Sequence, residues 1–112
     1  MILIKDAKTL RGVMCGFHPT LVDIAVWILT KYEKIVITCG HRKNDIGVHG
    51  MMPCRGLDLR SWIYPHPEFI VSDVNNMWEY DYDRPEMNCA MLHDAGSGSH
   101  LHFQTHPNTR RR

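Results

Sequence analysis

The feature that most restricts the fold of this sequence is the alternation of two helical segments with short strand segments. The first helix opens at His18-Pro19-Thr20, since proline is tolerated in the first helical turn, and the second opens at His66-Pro67-Glu68. In each, apolar residues follow at spacings of three and four, which gives the helix one apolar face. The apolar positions are Leu21, Ala25, Ile28, Leu29 and Tyr32 in the first helix and Phe69, Ile70, Val74, Met77 and Trp78 in the second.

Four short segments have strand character. Residues 35–38 are a β-branched run that ends at Gly40, and residues 56–59 predict a second short strand. Residues 89–93 and 99–104 predict a hairpin, joined by a glycine-containing loop over 94–98. The stretch 79–86, rich in acidic residues, reads as a surface loop. We therefore expect an α+β fold, a small and mainly antiparallel sheet with helices packed on one side.

Composition narrows the classes of function. At 112 residues the chain is expected to form a single domain over 1–112. Thirteen basic and twelve acidic residues leave a net charge of +1, so no overall field favours nucleic acid or a membrane surface. We expect no stable membrane insertion and no secretory signal, and hence synthesis in the cytoplasm. The terminal arginines 110–112 are expected to form a frayed tail.

The four cysteines are scattered and form no C-x-x-C pair. In a reducing compartment their default role is that of small buried hydrophobes. Cys54 is the exception to follow, because it lies between two candidate metal ligands, His49 and Asp58.

The histidines are the candidate metal-binding and acid–base residues. His100 and His102 stand two apart on a predicted strand, so their side chains leave the same face. A shared metal is one explanation, with one ring binding it and the other acting nearby as a base or electrostatic partner. The other explanation is a surface strand that happens to be rich in histidine.

A second pair of residues, His49 and Asp58, supports the hypothesis of a metal site. His49 sits in a glycine-flanked loop, and Asp58 follows nine residues later between Leu57 and Leu59. If those leucines face the core, Asp58 faces the sheet surface or a cleft; otherwise it is a buried charge that needs a partner. Two imidazoles and one carboxylate bind zinc and leave the fourth position open, as catalytic sites require. Taken alone, Asp58 would be read as a helix-cap or salt-bridge acid.

Three segments, in order, resemble a known family. C-G-H-R-K at 39–43 resembles the S-G-Y-R-S segment of the D-alanyl-D-alanine carboxypeptidase and dipeptidase family, which includes phage L-alanyl-D-glutamate endolysins and shares the Hedgehog fold. G-V-H at 47–49 with R-G-L-D-L at 55–59 resembles the family's His…Asp block, and S-H-L-H-F at 99–103 resembles its closing H-x-H. The resemblance spans roughly residues 35–104.

The resemblance implies a Hedgehog/DD-peptidase fold and a zinc site with His49, Asp58 and His102 as ligands. His100 would lie beside the reacting water or oxyanion, and Arg42 would bind a substrate carboxylate or carbonyl. The implied reaction is zinc-assisted hydrolysis of amide bonds in peptidoglycan stem peptides or cross-links. A holin or a virion would then carry the protein to the cell wall.

The sequence also departs from the family pattern. Eight residues rather than six separate His49 from Asp58, and Ser99 stands where many members carry a carboxylate base. The base is therefore His100 or an acid such as Asp94, and a contribution of Cys54 or His93 to the metal site stays open. Two alternatives remain: a catalytically inactive, metal-binding recognition module of the same fold, and a structural protein whose histidines are incidental.

Overall fold

The computed structural model describes residues 1–94 and 98–112. Three helices, seven strands and one 3-10 turn lie in these ranges. In chain order they are β1 Ile2–Ile4, α1 Ala7–Met14, α2 Pro19–Tyr32, β2 Ile35–Cys39, the 3-10 turn Val48–Gly50, β3 Gly56–Arg60, α3 Pro67–Met77, β4 Trp78–Glu79, β5 Ala90–Asp94, β6 Ser99–Gln104 and β7 Arg110–Arg111.

The main sheet has five strands in the order β1-β2-β3-β6-β5. β1 and β2 are parallel, and the other three pairings are antiparallel. The α+β class and the mainly antiparallel sheet are therefore confirmed. Most of the loop predicted to join β5 and β6 lies outside the described residues. No helix in the described ranges is long and apolar enough to cross a membrane.

The two central strands alternate strictly between a core face and a polar face. Leu57 and Leu59 of β3 and Leu101 and Phe103 of β6 are almost completely buried against α2 and α3. Since successive side chains of a strand leave opposite faces, Asp58 and the histidines of β6 lie on the other face. The sequence left open whether the two leucines face the core; they do, and Asp58 faces a cleft.

Two predictions near the C-terminus are wrong. The arginine tail does not fray, because β7 pairs with β4 and the Nε of Arg110 lies 3.1 Å from Glu79. The segment 79–86 is not wholly a surface loop, since Asp81 is buried. The backbone N–H of Asp83 and the side chains of Asn108 and Arg84 donate to the carboxylate of Asp81 and lower its pKa to about 2.

β1 and α1 are elements that the sequence analysis did not predict. α1 packs against the end of β2 at Gly12, whose missing side chain makes the approach possible. A Cβ at Gly12 would lie 2.6 Å from the backbone oxygen of His41, and the His41 N–H donates to the Gly12 carbonyl at 3.2 Å. The glycine therefore fixes α1 beside the segment that carries Arg42.

The substitution Gly12→Ala tests this close packing. Alanine normally stabilises a helix interior by about 0.5–1 kcal/mol relative to glycine. Here we expect the opposite sign, a loss of about 1–3 kcal/mol, because the new methyl group would overlap backbone atoms. Urea denaturation measures the change. Ser72→Ala on the exposed side of α3 is the control and should be close to neutral; a stabilised Gly12→Ala protein would contradict the packing described.

Candidate metal centre

A polar cleft of about 490 Å³ lies on the sheet face opposite the core. β2, β3, β5 and β6 supply its floor, and the turn that carries His49 closes one side. The lining residues with ionisable or metal-binding side chains are Lys5, Cys39, Arg42, His49, Asp58, Arg60, His93, His100 and His102. The five residues that the resemblance implied for the site, His49, Asp58, His102, His100 and Arg42, thus lie in one cleft, as does His93, whereas Cys54 and Asp94 are not among its described lining residues.

The Asp58 carboxylate is the centre of this cleft. Its Oδ1 atom lies 2.7 Å from His102 Nδ1 and 3.3 Å from His49 Nε2, and its Oδ2 atom lies 3.7 Å from His100 Nε2. The pairing of β3 with β6 places Asp58 directly opposite His102, so strand register alone creates the shortest of these contacts. Asp58 and His49 are both buried.

His49 is oriented by a backbone carbonyl. Its Nδ1 atom lies 2.7 Å from the carbonyl oxygen of Gly40. Because a carbonyl oxygen can only accept, Nδ1 carries the proton and donates, and Nε2 faces Asp58. The ring fits here because Gly56 has no side chain; a Cβ at that position would lie 3.0 Å from the His49 Cγ. A backbone carbonyl is one of the usual orienting partners of a metal-binding histidine.

His102 is oriented in the same way by a glutamine. The Gln104 Nε2 donates to the carbonyl of Asn88 at 2.9 Å, which turns the amide so that Oε1 faces His102 Nε2 at 3.3 Å. Nε2 therefore donates to Gln104, and Nδ1 donates to Asp58 Oδ1 at 2.7 Å, since a carboxylate can only accept. Nδ1 is the nitrogen that a metal ion replacing this proton would bind. Sequence reasoning missed Gln104, although its spacing of two from His102 places it on the same strand face.

His49 Nε2 and His102 Nδ1 thus contact the same carboxylate oxygen, Asp58 Oδ1. Such atoms are held together either by protons on the nitrogens or by a cation between them. The distance of 3.3 Å between His49 Nε2 and Asp58 Oδ1 suits zinc, because ligand atoms about 2.0–2.1 Å from a tetrahedral ion lie roughly 3.3–3.4 Å apart. The shorter contact of His102 with Asp58 has to lengthen to admit an ion.

The pKa values of His49 and Asp58 also indicate that positive charge is favoured beside the Asp58 carboxylate. Burial disfavours the charged form of His49, but hydrogen bonds to Asp58 and Cys39 outweigh it and raise the pKa of His49 to about 12. Burial likewise opposes ionisation of Asp58, yet hydrogen bonds from His102 and His49 hold its pKa well below the usual value. The Asp58 carboxylate is therefore ionised, and His49 is protonated in this structure.

Cys39 is a candidate ligand that sequence reasoning did not select. Among the described residues, the donor atoms of Cys39, His49 and Asp58 all lie within 4.8 Å of one another, so this group, which does not include His102, could hold a metal ion. The Cys39 Sγ lies 3.7 Å from His49 Nδ1, on the side of the ring that bonds Gly40 rather than Asp58. No local sequence signal predicts this placement, because Cys39 comes opposite Asp58 through a shift in the β2–β3 register.

Cys54, the cysteine that the sequence analysis singled out, lies outside the cleft. It is fully buried, and its Sγ donates to the Gly56 carbonyl at 3.1 Å. It packs behind the His49 turn and does not belong to the group of donors that could hold a metal.

His100, His93 and Arg42 form the wall of the cleft. His100 Nε2 lies 3.4 Å from His93 Nδ1, since the register of β5 and β6 pairs these two residues. Arg42 is half exposed, its Nε lies 3.1 Å from Asp45, and its backbone N–H donates to the His49 carbonyl at 2.7 Å. The arginine segment and the histidine turn are thereby joined directly.

Comparisons with known proteins find no counterpart: no family model, no curated protein and no solved structure matches this chain.

The role assigned to Gln104 can be tested by Gln104→Leu, which keeps the volume and removes the acceptor. We expect zinc affinity to fall by about 10- to 100-fold, as is typical when the outer hydrogen bond of a ligating histidine is lost. Competition with a chromophoric chelator measures the affinity. Asn76→Leu, the same kind of change on the exposed side of α3, should leave it unaltered. Equal affinities for both variants would show that Gln104 does not orient a ligand.

Proposed function

We propose that this chain is a zinc-dependent metallopeptidase that hydrolyses amide bonds in peptidoglycan stem peptides or cross-links. The observation that carries the proposal is the convergence of His49 Nε2, His102 Nδ1 and Asp58 Oδ1 at the floor of an open cleft. A Hedgehog/DD-peptidase type of fold and membership of the D-alanyl-D-alanine carboxypeptidase family are parts of the same proposal.

His49, Asp58 and His102 are the proposed ligands. Their outer hydrogen bonds to Gly40 and Gln104 fix both rings before any ion binds. Three protein ligands leave a fourth position free, which distinguishes a catalytic zinc site from a structural one. When bound, zinc supplies Lewis-acid chemistry: it activates water and polarises the scissile carbonyl.

His100 is the proposed acid–base residue. Its ring lies on the same strand face as His102 and is partly open to the cleft, with Nε2 3.7 Å from Asp58 Oδ2 and 3.4 Å from His93 Nδ1. From this position it can take a proton from the attacking water and return it to the leaving amine. His93 would share that proton and orient the ring.

Arg42 is the proposed substrate-binding residue. Its salt bridge with Asp45 engages Nε, and the guanidinium retains further donors for a substrate carboxylate. The direct bond from its backbone to the His49 carbonyl ties its position to that of the metal ligands. A carboxylate held by Arg42 would thus place the scissile amide at a fixed distance from the cleft floor.

The site of action is the cell wall or periplasm. The protein would be made in the cytoplasm and reach peptidoglycan through a holin, or act as part of a virion. This portion of the proposal rests on the resemblance of segments 39–43, 47–59 and 99–103 to phage endolysins and related peptidases.

One observation favours a second candidate, a metal-binding recognition module without hydrolysis. Among the described residues that line the cleft, Asp58 is the only carboxylate, and Ser99 occupies the position where many peptidases of the family place a base. Retention of Arg42 and of both histidines of the H-x-H pair favours the enzyme.

Hydrolysis of purified muropeptides by zinc-loaded protein separates the two candidates. His102→Ala should lose both zinc and hydrolysis. His100→Gln should keep zinc and lose about 100-fold or more in kcat, the usual contribution of a general acid–base group. His66→Ala, an exposed histidine at the start of α3, is the control and should match the wild type. Zinc binding without any hydrolysis by the wild type would contradict the peptidase and support the recognition module.

A further inference from the structure

A second cleft of about 750 Å³ continues from the candidate metal centre along α1. The two clefts share Lys5, Thr38, Cys39 and Arg42, so a ligand could extend from one into the other. We call this second cleft the basic groove; its ionisable lining residues apart from Cys39 are Lys5, Asp6, Lys8, Arg11, Cys15, His41, Arg42 and Lys43.

The basic groove concentrates positive charge in a chain that is nearly neutral overall. Five lysine or arginine side chains line it against one carboxylate, whereas the whole chain has a net charge of +1. The carboxylate, Asp6, caps α1: it accepts from the backbone N–H of Thr9 at 2.8 Å and from the Thr9 hydroxyl at 2.7 Å. The groove therefore has an excess of cations that its own acid does not offset.

Most of these cations form no salt bridge within the part of the chain that the structure describes, although Asp6 attracts Lys5 and Lys8 electrostatically. Arg42 forms a salt bridge with Asp45, but Lys5, Lys8, Arg11 and Lys43 form none there. Elsewhere basic side chains do find acids, as Lys31 does with Asp73 and Arg110 with Glu79. A row of like charges with few counter-charges raises the local concentration of anionic ligands.

The fold builds this row next to the candidate metal centre. Lys8 and Arg11 are three residues apart on α1 and so share one helix face. Lys5 leaves the end of β1, where its backbone N–H bonds the Ile37 carbonyl of β2. The close contact between Gly12 and the 40–41 backbone then sets that helix face beside Arg42.

We propose that the basic groove binds the acidic part of the substrate, a peptide that carries several carboxylates. This inference rests on the proposed function: one carboxylate lies at Arg42, and the others lie along Lys5, Lys8 and Arg11. The groove fits an acidic peptide better than a nucleic acid, because its described lining contains no Phe, Tyr or Trp on which bases could stack. Its continuity with the cleft that holds His49 and Asp58 directs the bound peptide towards the candidate metal centre.

Fluorescence anisotropy with three labelled probes tests the proposal: a pentaglutamate peptide, a pentaglutamine peptide and an oligothymidylate of the same charge as pentaglutamate. The proteins are the wild type, Lys8→Gln/Arg11→Gln, and the control Lys34→Gln/Arg111→Gln, which removes equal charge from exposed positions outside the groove. Binding is measured with and without zinc and at two salt concentrations.

We expect the wild type and the control to bind pentaglutamate and to bind it more weakly in high salt. The groove variant should bind about five- to tenfold more weakly, since each exposed charge contributes modestly. Pentaglutamine should not bind. Equal loss of affinity in the groove and control variants would overturn the proposal, and so would tighter binding of the oligothymidylate than of the peptide.

The same proteins separate this proposal from the peptidase itself. If the groove variant loses pentaglutamate binding while the wild type hydrolyses no muropeptide, the groove is correct and the proposed function is wrong. If muropeptide hydrolysis is observed and the groove variant has an unchanged KM and unchanged pentaglutamate binding, the peptidase stands and the groove proposal fails.

Discussion

The Asp58 carboxylate, buried between two imidazoles, is the interaction on which the rest of the site depends. A buried charge is stable only when paired, and here His49 and His102 both direct a nitrogen at the same oxygen. Each ring is fixed from behind by an acceptor, so neither can turn away to relieve the crowding. The cleft floor thus requires positive charge beside Asp58, and under the proposed function a metal ion would supply it.

The strand register of the sheet places Asp58 beside His102. Pairing of β3 with β6 sets Asp58 opposite His102 and puts Leu57 and Leu101 on the core face. A slip of one residue would carry the carboxylate into the apolar core and the leucines into the cleft, so core packing and the candidate site enforce the same register. The turn that bears His49 and the segment that bears Arg42 are then joined by one backbone hydrogen bond.

The long periodic elements and the polar strand face could be predicted from sequence, because their signals are local. α2, α3 and the alternation around His100 and His102 follow from spacing alone. α1 was missed, because it is short and its position depends on the contact of Gly12 with the distant His41 backbone. The pairing of β7 with β4 is likewise a long-range contact.

The candidate site, too, could be predicted only in part: residues in local motifs were identified, and residues placed by long-range pairing were not. Placement of His49, Asp58 and His102 in one cleft agrees with the motif-based prediction, and their roles as ligands stay predictions. Cys39 was overlooked because its proximity to Asp58 arises from an irregularity in the β2–β3 register that no local pattern encodes.

The most direct test of the proposed metal ligands is X-ray absorption at the zinc edge of the zinc-loaded protein. We expect only nitrogen and oxygen neighbours at about 2.0–2.2 Å, including imidazole; a sulfur neighbour at about 2.3 Å would assign the metal to Cys39 and contradict the ligand set of His49, Asp58 and His102.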